Sequence, residues 1–168
     1  MNVIQRFRAR QRDMKTLSSV MSDSLERAQR SGDEYAGAHH LVLAALAMED
    51  GTASELLADF GAGAEAFAEA VAAQHGEALR ELGISDELVD VSAVPIEPGT
   101  GKYGKADATY EQAIKHIYEV HNAGDDHRQL ISAYVLAGAA RVDRGVAARA
   151  FASLGIDVDA LIERATGG

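Results

Sequence analysis

The amino-acid sequence predicts an all-α protein built from two tandem four-helix repeats. Alanine supplies 32 of the 168 residues, and alanine is the best helix former but fills strands poorly. Aromatic residues make up only 5% of the chain, so its core must consist of closely packed helices. In addition, the two halves of the chain share glycines and alanines at one fixed spacing, which indicates a repeat.

Length, charge and cysteine content exclude several functional classes. The chain has the size of one domain and can bury a sizeable core. The absence of cysteine excludes disulfides, thiolate catalysis and zinc–thiolate sites. A net charge of −10 argues against nucleic-acid binding, which needs a basic surface. Because no apolar stretch reaches the ~20 residues of a membrane span and no secretion signal is recognisable, we expect a soluble, cytoplasmic protein.

Positive charge is concentrated at the amino terminus. Residues 1–15 carry a net charge of +4, whereas the remaining residues carry −14. We describe residues 1–12 as a basic arm that precedes a single domain formed by residues 13–168. Such an arm either binds an acidic partner or is a solvated lead-in to the first helix. The second interpretation is favoured, because charge runs are commonly solvated.

The first half of the chain shows helical periodicity in four segments. In the first, apolar residues recur at spacings of three and four from Met14 to Ala28. The second contains residues 41–48, which are apolar on all sides and therefore predict an enclosed core helix. Gly61 ends the third segment, since glycine readily adopts the left-handed conformation that closes a helix. The predicted helices span residues 13–30, 39–49, 52–60 and 64–82.

The second half of the chain begins with a segment that lacks the helical pattern of the residues before it. Residues 89–106 contain both prolines of the chain and three glycines, and they predict a Gly/Pro linker with at most an edge strand or hairpin. Helical patterns then resume, and residues 132–140 are again apolar on all sides. The predicted helices span residues 108–122, 132–140, 145–154 and 157–165.

A shift of 94 residues aligns the two halves without gaps over residues 38–71. Seven positions are then identical, and they include Gly51 with Gly145 and Gly61 with Gly155. Glycines at both ends of a short helix, repeated in both halves, indicate a duplicated unit packed with pseudo-twofold symmetry. The predicted boundaries are 13–88 for repeat one, 89–106 for the linker and 107–166 for repeat two.

Both repeats resemble the amino-terminal repeat of Clp unfoldases. The family pattern G-H-N-x-I-G-T-E-H-L-L-L-x-L is similar to the run that begins at Gly32 and continues Asp-Glu-Tyr-Ala-Gly-Ala-His-His-Leu-Val-Leu. The later family elements G-V-A-A and L-x-x-L-G resemble Gly51-Thr-Ala-Ser and Leu57-Ala-Asp-Phe-Gly. In repeat two, the closest match is Gly145-Val-Ala-Ala-Arg-Ala-Phe-Ala-Ser-Leu-Gly.

The resemblance implies an all-helical, non-catalytic domain, which in the unfoldases precedes two ATPase modules. There it receives adaptor proteins or substrates, recognises phosphorylated arginine in some bacteria, and binds cyclic peptide antibiotics in actinobacterial relatives. Because the chain leaves no room for an ATPase module, we expect a free-standing relative of this docking domain. Its implied partners are a peptide, an adaptor protein or a cyclic peptide, and its implied role is that of a regulator or an antibiotic-sequestering decoy of the Clp protease system.

The resemblance also implies which residues meet a partner. The family places a carboxylate in its T-E-H element, where paired hydrogen bonds can bind a guanidinium. The corresponding residues in this chain are His39 and Ala133, and neither side chain can accept a bidentate arginine contact. Tyr134 replaces the histidine of this element in repeat two. The partner-binding residues implied for a peptide groove are Met21, Leu25, His39, Tyr103, Tyr110 and Tyr134.

The loop Gly99–Lys105 offers an alternative function in nucleotide binding. Its sequence Gly-Thr-Gly-Lys-Tyr-Gly-Lys has the spacing of a phosphate-binding loop, and a helix follows it. However, Ala106 stands where such a loop needs Ser or Thr for magnesium, and Pro98 stands where a buried strand should end. A flexible linker is therefore the favoured interpretation, and no cofactor is expected.

The sequence predicts neither a metal site nor a catalytic centre. His39 and His40 are adjacent, and neighbours on a helix point about 100° apart, so both should not face one ion. His116 and His121 are five residues apart, off the spacing that aligns side chains on a helix. Neither H-E-x-x-H nor Gly-x-Ser-x-Gly occurs in the sequence. We therefore expect a binding module and not an enzyme, with a purely structural helical dimer as a further alternative.

Overall fold

In the computed structural model, α-helices form most of the described residues, which are 3–81, 105–123 and 129–167. This confirms the predicted all-α class. A pair of two-residue strands, β1 (Tyr35–Ala36) and β2 (Lys105–Ala106), completes the regular structure of these residues. The helices are α1 Val3–Ser31, α2 Ala38–Leu46, α3 Thr52–Asp59, α4 Ala64–Glu81, α5 Ala108–Asn122, α6 Ser132–Ala140, α7 Val146–Ser153 and α8 Val158–Thr166.

The two strands connect the repeats. β1 and β2 are parallel, with Tyr35 opposite Lys105 and Ala36 opposite Ala106. The N–H of Asp107 continues this ladder by donating to the carbonyl of Ala36 at 2.9 Å. The predicted linker therefore ends in a short strand that pairs with repeat one, while its residues 89–104 lie outside the described residues.

The helices follow the shift of 94 residues that the sequence shows. It maps α2 onto α6 and α3 onto α7 residue for residue, and it maps the first residue of α4 onto that of α8. The packing is paired in the same way, since α4 contacts α7 and α3 contacts α8. Gly61 and Gly155 follow the short helices α3 and α7 with left-handed φ values of 76° and 69°. Paired contacts of this kind are those expected of two repeats related by a twofold axis.

α1 is longer than the sequence predicts. It begins at Val3 and not near Asp13, so the helix start predicted from periodicity is wrong and residues 3–12 form its first turns. Ile4 and Phe7 lie three residues apart, and Met14 follows seven residues later, so the helical apolar spacing continues into this segment. Neither α1 nor any other helix in the described part of the chain has the length and apolar character needed to cross a membrane.

α2 and α6 form the centre of the core, as their all-round apolar sequences predict. All nine residues of α6 and eight of the nine in α2 are buried. Gly138 allows α5 to pack closely against α6, because a Cβ at this position would lie 2.6 Å from the backbone N and Cα of Ile117. The small residues of α6 therefore set the distance between the helices.

The amino termini of α3 and α6 cap each other across the two repeats. The carboxylate of Asp50 accepts hydrogen bonds from the N–H and the hydroxyl of Ser132. The hydroxyl of Thr52 accepts one from the N–H of Ala133 at 3.0 Å, and Ser132 Oγ in turn accepts one from the N–H of Ala53 at 2.9 Å. Because the first N–H groups of a helix have no partner within it, these contacts satisfy both helix ends and join the repeats.

We predict that Gly138→Ala lowers the free energy of unfolding by about 1–3 kcal/mol. The added methyl group would meet the backbone of Ile117, which cannot move aside as a flexible side chain can. Urea denaturation followed by circular dichroism measures the change. Gly76→Ala is the matched control, because its added Cβ comes no closer than 3.9 Å to the Arg80 side chain. This control should raise stability by up to about 1 kcal/mol, and equal losses in the two variants would contradict the close packing of α5 on α6.

We predict that Asp50→Ala lowers the free energy of unfolding by about 1–2 kcal/mol, as expected for a lost helix cap. Burial raises the pKa of Asp50, but the hydrogen bonds from Ser132 and Thr52 outweigh this effect and hold the pKa below its usual value. The stabilisation is therefore present above about pH 4 and is lost as the pH falls further. Glu49→Ala, which removes the neighbouring exposed carboxylate, is the control for urea denaturation at pH 7 and pH 3. If the two variants lost the same stability at pH 7, the contact would not join the repeats as described.

Candidate functional site

A groove with apolar walls lies between α1 and the second half of α5. Met14 and Leu17 line it from α1, Ile117 and Tyr118 line it from α5, and Leu130 lines it from the segment before α6. The cavity has a volume of about 310 Å³, within the range of small ligand pockets. Its polar lining residues are Arg10, Asp13, His121 and Asn122.

The surface around this groove exposes large apolar side chains. Met14 is 70% exposed and Tyr118 is 49% exposed, and further along α1 Phe7 and Ile4 are also exposed. These four are all but one of the large apolar side chains that the described residues expose, the fifth being Tyr35. A concentration of exposed apolar side chains on one face is typical of a surface that binds a partner.

The amino-terminal half of α1 is basic, although the chain as a whole is acidic. Four exposed cationic side chains accompany its apolar residues over three turns of helix. Only one acidic residue, Asp13, lies among residues 3–15. A ligand at this end of the groove therefore meets a positive local field. The exposed cationic residues are Arg8, Arg10, Arg12 and Lys15.

Asp13 holds the elements of the groove together. Its carboxylate accepts a hydrogen bond from the N–H of Leu130 at 3.1 Å and lies 3.4 Å from Nε2 of His121. α1, α5 and the segment before α6 are joined by these contacts. The groove is therefore formed before a ligand arrives, which reduces the entropy lost on binding.

Three of the residues that the resemblance implies for partner binding lie on α1 and α5. Met21 and Leu25 are partly buried against the core, and Tyr110 is 3% exposed. The hydroxyl of Tyr110 lies 2.9 Å from Ser24 Oγ and 3.5 Å from the Met21 carbonyl oxygen. The structure thus brings Met21 and Tyr110 together, but in the contact that holds the two helices.

The other three implied residues lie elsewhere. Tyr134 is buried in α6, and its ring centroid lies 6.1 Å from that of His121, a residue of the groove. His39 lies in a separate cluster at the start of α2. Tyr103 lies outside the described residues. The five of these residues that the structure describes do not line one groove. The role of all six residues in partner binding stays a prediction.

The α1–α5 groove was not predicted from the sequence. Apolar residues such as Met14 and Ile117 are recognisable at helical spacing, but this spacing is equally typical of a core. The signal in the sequence is that the apolar spacing extends from Met14 back to Phe7, further than a helix needs in order to pack on the core. The interpretation of residues 1–12 as a basic arm leaves these apolar residues out of the predicted first helix.

A polar cluster surrounds the start of α2. His39 and His40 are 7% and 2% exposed, and their ring centroids lie 3.9 Å apart. The N–H of Gly37 donates to Nδ1 of His40 at 3.0 Å, and Nε2 of His40 donates to the carboxylate of Asp33 at 3.1 Å. Asp33, His39 and His40 each place one potential metal-ligating atom within 4.8 Å of the others. The ring of His75 on α4 meets that of His39 at a centroid distance of 5.9 Å.

Neighbours on a helix point about 100° apart, but side-chain rotation brings the rings of His39 and His40 together. Gly37 provides the space for this arrangement. A Cβ at Gly37 would lie 3.0 Å from Nδ1 of His39 and 3.0 Å from the carboxylate of Asp107. The missing side chain therefore lets the His39 ring lie against the start of the helix.

Both histidines of the cluster are neutral at pH 7. Burial, together with the nearby His40 and His75, lowers the pKa of His39 to about 4, although Asp33 and Asp107 act in the opposite direction. Burial also lowers the pKa of His40, against the opposing effect of Asp33. Among the described residues, Nε2 of His39 finds no hydrogen-bond partner.

The nucleotide-binding alternative depends on a loop that lies outside the described residues, except for Lys105. The ammonium of Lys105 lies 3.2 Å from the Glu34 carboxylate and 5.4 Å from the centre of the Tyr35 ring. In addition, Lys105 lies in β2, whereas a helix follows a phosphate-binding loop directly. The one described residue of the loop is therefore engaged in contacts between the repeats.

Comparison with known proteins assigns a family to the first repeat. Residues 15–92 match the family described as the Clp repeat (R) N-terminal domain. Within the described residues, the match begins in α1 and includes α2, α3 and α4. No curated protein matches the chain.

We predict that the free energy of unfolding falls as the pH drops from about 6.5 towards 4. The folded-state pKa values of His39 and His40 lie below the ordinary value of 6.5, so the unfolded chain binds more protons than the folded one in this window. Full stability is therefore present above pH 6.5. His39→Gln should reduce the slope by up to about 1.4 kcal/mol per pH unit, and urea denaturation at a series of pH values measures it. An unchanged slope in this variant would contradict the buried, neutral state of His39.

Proposed function

We propose that this chain, which carries a Clp repeat N-terminal domain, is a non-catalytic protein-binding module of the cytoplasm that docks a peptide segment in the α1–α5 groove. Domains of this family generally bind proteins. The docked segment belongs to an adaptor protein, a substrate or a cyclic peptide of the Clp system. The observation that carries this proposal is the exposure of Met14 and Tyr118 at a groove that is already formed.

Apolar burial supplies the binding energy in this proposal. Covering an exposed Met or aromatic side chain contributes about 1.5–3 kcal/mol when the side chain becomes fully buried. Interfaces commonly depend on a few such anchors, and aromatic residues are prominent among them. Tyr118 has an apolar ring and a polar hydroxyl, which suits a residue at the edge of a groove. Met14 is flexible and can adapt to ligands of different shape.

Local charge selects the type of segment. The overall charge of −10 favours basic partners at long range, but salt screens exposed charges beyond about 8–10 Å. At contact distance, the cationic side chains of α1 determine the field at the end of the groove. We therefore propose a segment in which acidic residues lie beside the apolar anchors. Arg10 is the cation placed to meet them, since it belongs to the lining of the groove.

Phosphorylated arginine is not the ligand that we propose. In the resembling unfoldases, a carboxylate at the T-E-H element is the natural partner of the guanidinium group. His39 and Ala133 stand at these two positions, and both side chains are buried. Neither offers two acceptor oxygens to a guanidinium.

Two biological roles fit a docking module with this groove. The chain regulates the Clp system by competing for the adaptors or substrates that an unfoldase receives, or it sequesters cyclic peptide antibiotics as a decoy. The two roles differ in the ligand, which is a linear protein segment in the first and a closed ring in the second. Parallel titrations with both ligand classes therefore separate them.

We predict that Tyr118→Ser and Met14→Ser each weaken binding by about 10–30-fold, as expected when an anchor worth about 2 kcal/mol is lost. Isothermal titration calorimetry with a purified Clp adaptor and with a Clp-binding cyclic peptide measures the change. The matched control is Tyr35→Ser, because Tyr35 is 46% exposed on β1 and does not line the groove. Its affinity should equal that of the wild type.

Four results would count against this proposal. Flat titrations with every ligand would remove it, and so would an equal loss of affinity in the Tyr35 variant. Self-association in sedimentation that Tyr118→Ser abolishes would assign the surface to a second copy of this chain, as the dimer alternative requires. Magnesium-ATP that raises the melting temperature, with the rise lost in Lys105→Ala, would favour the nucleotide-binding alternative.

A further inference from the structure

A buried nitrogen in the cluster at the start of α2 has no partner. Nε2 of His39 makes no hydrogen bond within the described part of the chain, and the side chain is only 7% exposed. An unpaired polar atom away from water costs free energy, so native proteins nearly always satisfy such atoms. A neutral imidazole nitrogen with a free lone pair is also the commonest metal ligand in proteins. The unpaired atom therefore points to a bound ion.

Asp33 offers a carboxylate oxygen to the same cluster. Nε2 of His40 and the hydroxyl of Ser31 donate to its Oδ2 atom at 3.1 Å and 2.7 Å. Both bonds end on one oxygen, which leaves Oδ1 as the oxygen for an ion. The same two bonds fix the orientation of the carboxylate, as donors around a metal site commonly do.

His40 is suited to position Asp33 and not to bind the ion itself. Its Nδ1 accepts a hydrogen bond from the N–H of Gly37, so in the neutral ring the proton is on Nε2. A metal at Nε2 would displace that proton and would also remove the bond to Asp33. The outer contact from an imidazole N–H to a carboxylate is the arrangement expected around a ligand.

His75 supplies a second imidazole. Its ring centroid lies 5.9 Å from that of His39, and the two planes are nearly perpendicular at 85°. Two imidazoles that bind one zinc ion through nitrogens at about 2.0–2.1 Å have centroids roughly 5 Å apart. His75 lies on the surface of α4, so its side chain can move by the difference between the observed centroid distance and the distance expected around zinc.

We propose that Asp33, His39 and His75 bind one divalent transition-metal ion, with His40 as a positioning residue. Two imidazoles and one carboxylate suit zinc, which prefers four ligands in a tetrahedral arrangement. Three protein ligands leave the fourth position to water or to a side chain of a partner. The ion connects the segment after α1, the start of α2 and the surface of α4 within repeat one. The site is separate from the α1–α5 groove, so it stands or falls independently of the proposed function.

The test begins with the full chain after treatment with a chelator. Addition of zinc chloride at 100 times its dissociation constant should raise the melting temperature by roughly 5–10 °C. Calorimetry should give one ion per chain. Cobalt(II), used as a spectroscopic probe, should give the intense visible absorption of a tetrahedral site. A melting temperature that zinc leaves unchanged would overturn the proposal.

Single substitutions then assign the ligands. His75→Ala and Asp33→Asn should each weaken zinc binding by at least about 10-fold, because even outer contacts to a metal ligand have effects of that size. His75 lies on the surface, so its removal should leave the fold intact, and the melting temperature without metal checks this. The matched control is His116→Ala on α5, whose ring bonds Glu119 away from the cluster. Its affinity for zinc should equal that of the wild type.

The role of His40 has a distinct signature. His40→Gln should weaken zinc binding by about 10-fold or more while the cobalt spectrum keeps its shape, because the three ligands remain. A changed spectrum in this variant would make His40 a ligand and overturn its assignment as a positioning residue. If His75→Ala and Asp33→Asn bound zinc as tightly as the wild type, the ion would be held elsewhere and the site would be refuted.

Discussion

The burial of α6 on every side is the constraint on which the rest of the fold depends. None of its nine residues is exposed, so the N–H groups at its start cannot be satisfied by water. Asp50 and Thr52 of repeat one satisfy them, and Ser132 of repeat two caps α3 in return. Gly138 removes the side chain that would otherwise hold α5 away. Because the caps formed by Asp50, Thr52 and Ser132 cross between the repeats, neither repeat can complete the environment of α6 alone.

The duplication repeats the shape of the backbone more closely than its polar contacts. α2 stands in repeat one where α6 stands in repeat two, yet the N–H of Ala38 at its start donates to the hydroxyl of Thr109 at 3.0 Å. The cap that Asp50 gives to α6 has no equivalent, since the shift of 94 residues places Arg144 at that position. Small residues and helix-ending glycines determine how the helices pack. Once this packing is fixed, the polar contacts of one repeat can differ from those at the equivalent positions of the other. The cluster at the start of α2 is such a divergence, because Ala133 occupies the position equivalent to His39.

Helix positions are predictable in this chain because they depend on neighbours in the sequence. α5 and α6 have the predicted bounds, since Asp107 caps the first and an unbroken apolar run forms the second. The groove and the caps depend instead on residues far apart, such as Asp50 and Ser132, which are 82 positions from each other and are not related by the repeat. The resemblance implies Tyr110 for partner binding, and in the structure its hydroxyl lies 2.9 Å from Ser24 Oγ inside the core. No local pattern distinguishes an aromatic side chain that is buried in this way from one that a ligand covers.

The α1–α5 groove takes its walls from both copies of the unit, with Met14 on α1 and Tyr118 and Leu130 in repeat two. The packing that buries α6 therefore also sets the width of the groove, and the contacts of Asp13 keep α1 against the second repeat. A docking surface held by a rigid core loses little conformational entropy when a ligand binds. A larger share of the free energy gained from apolar contacts therefore remains as binding affinity. A single four-helix unit has one such first helix and cannot form this groove. Duplication thus does more than enlarge the core, because the first helices of the two units together create a surface that neither has alone.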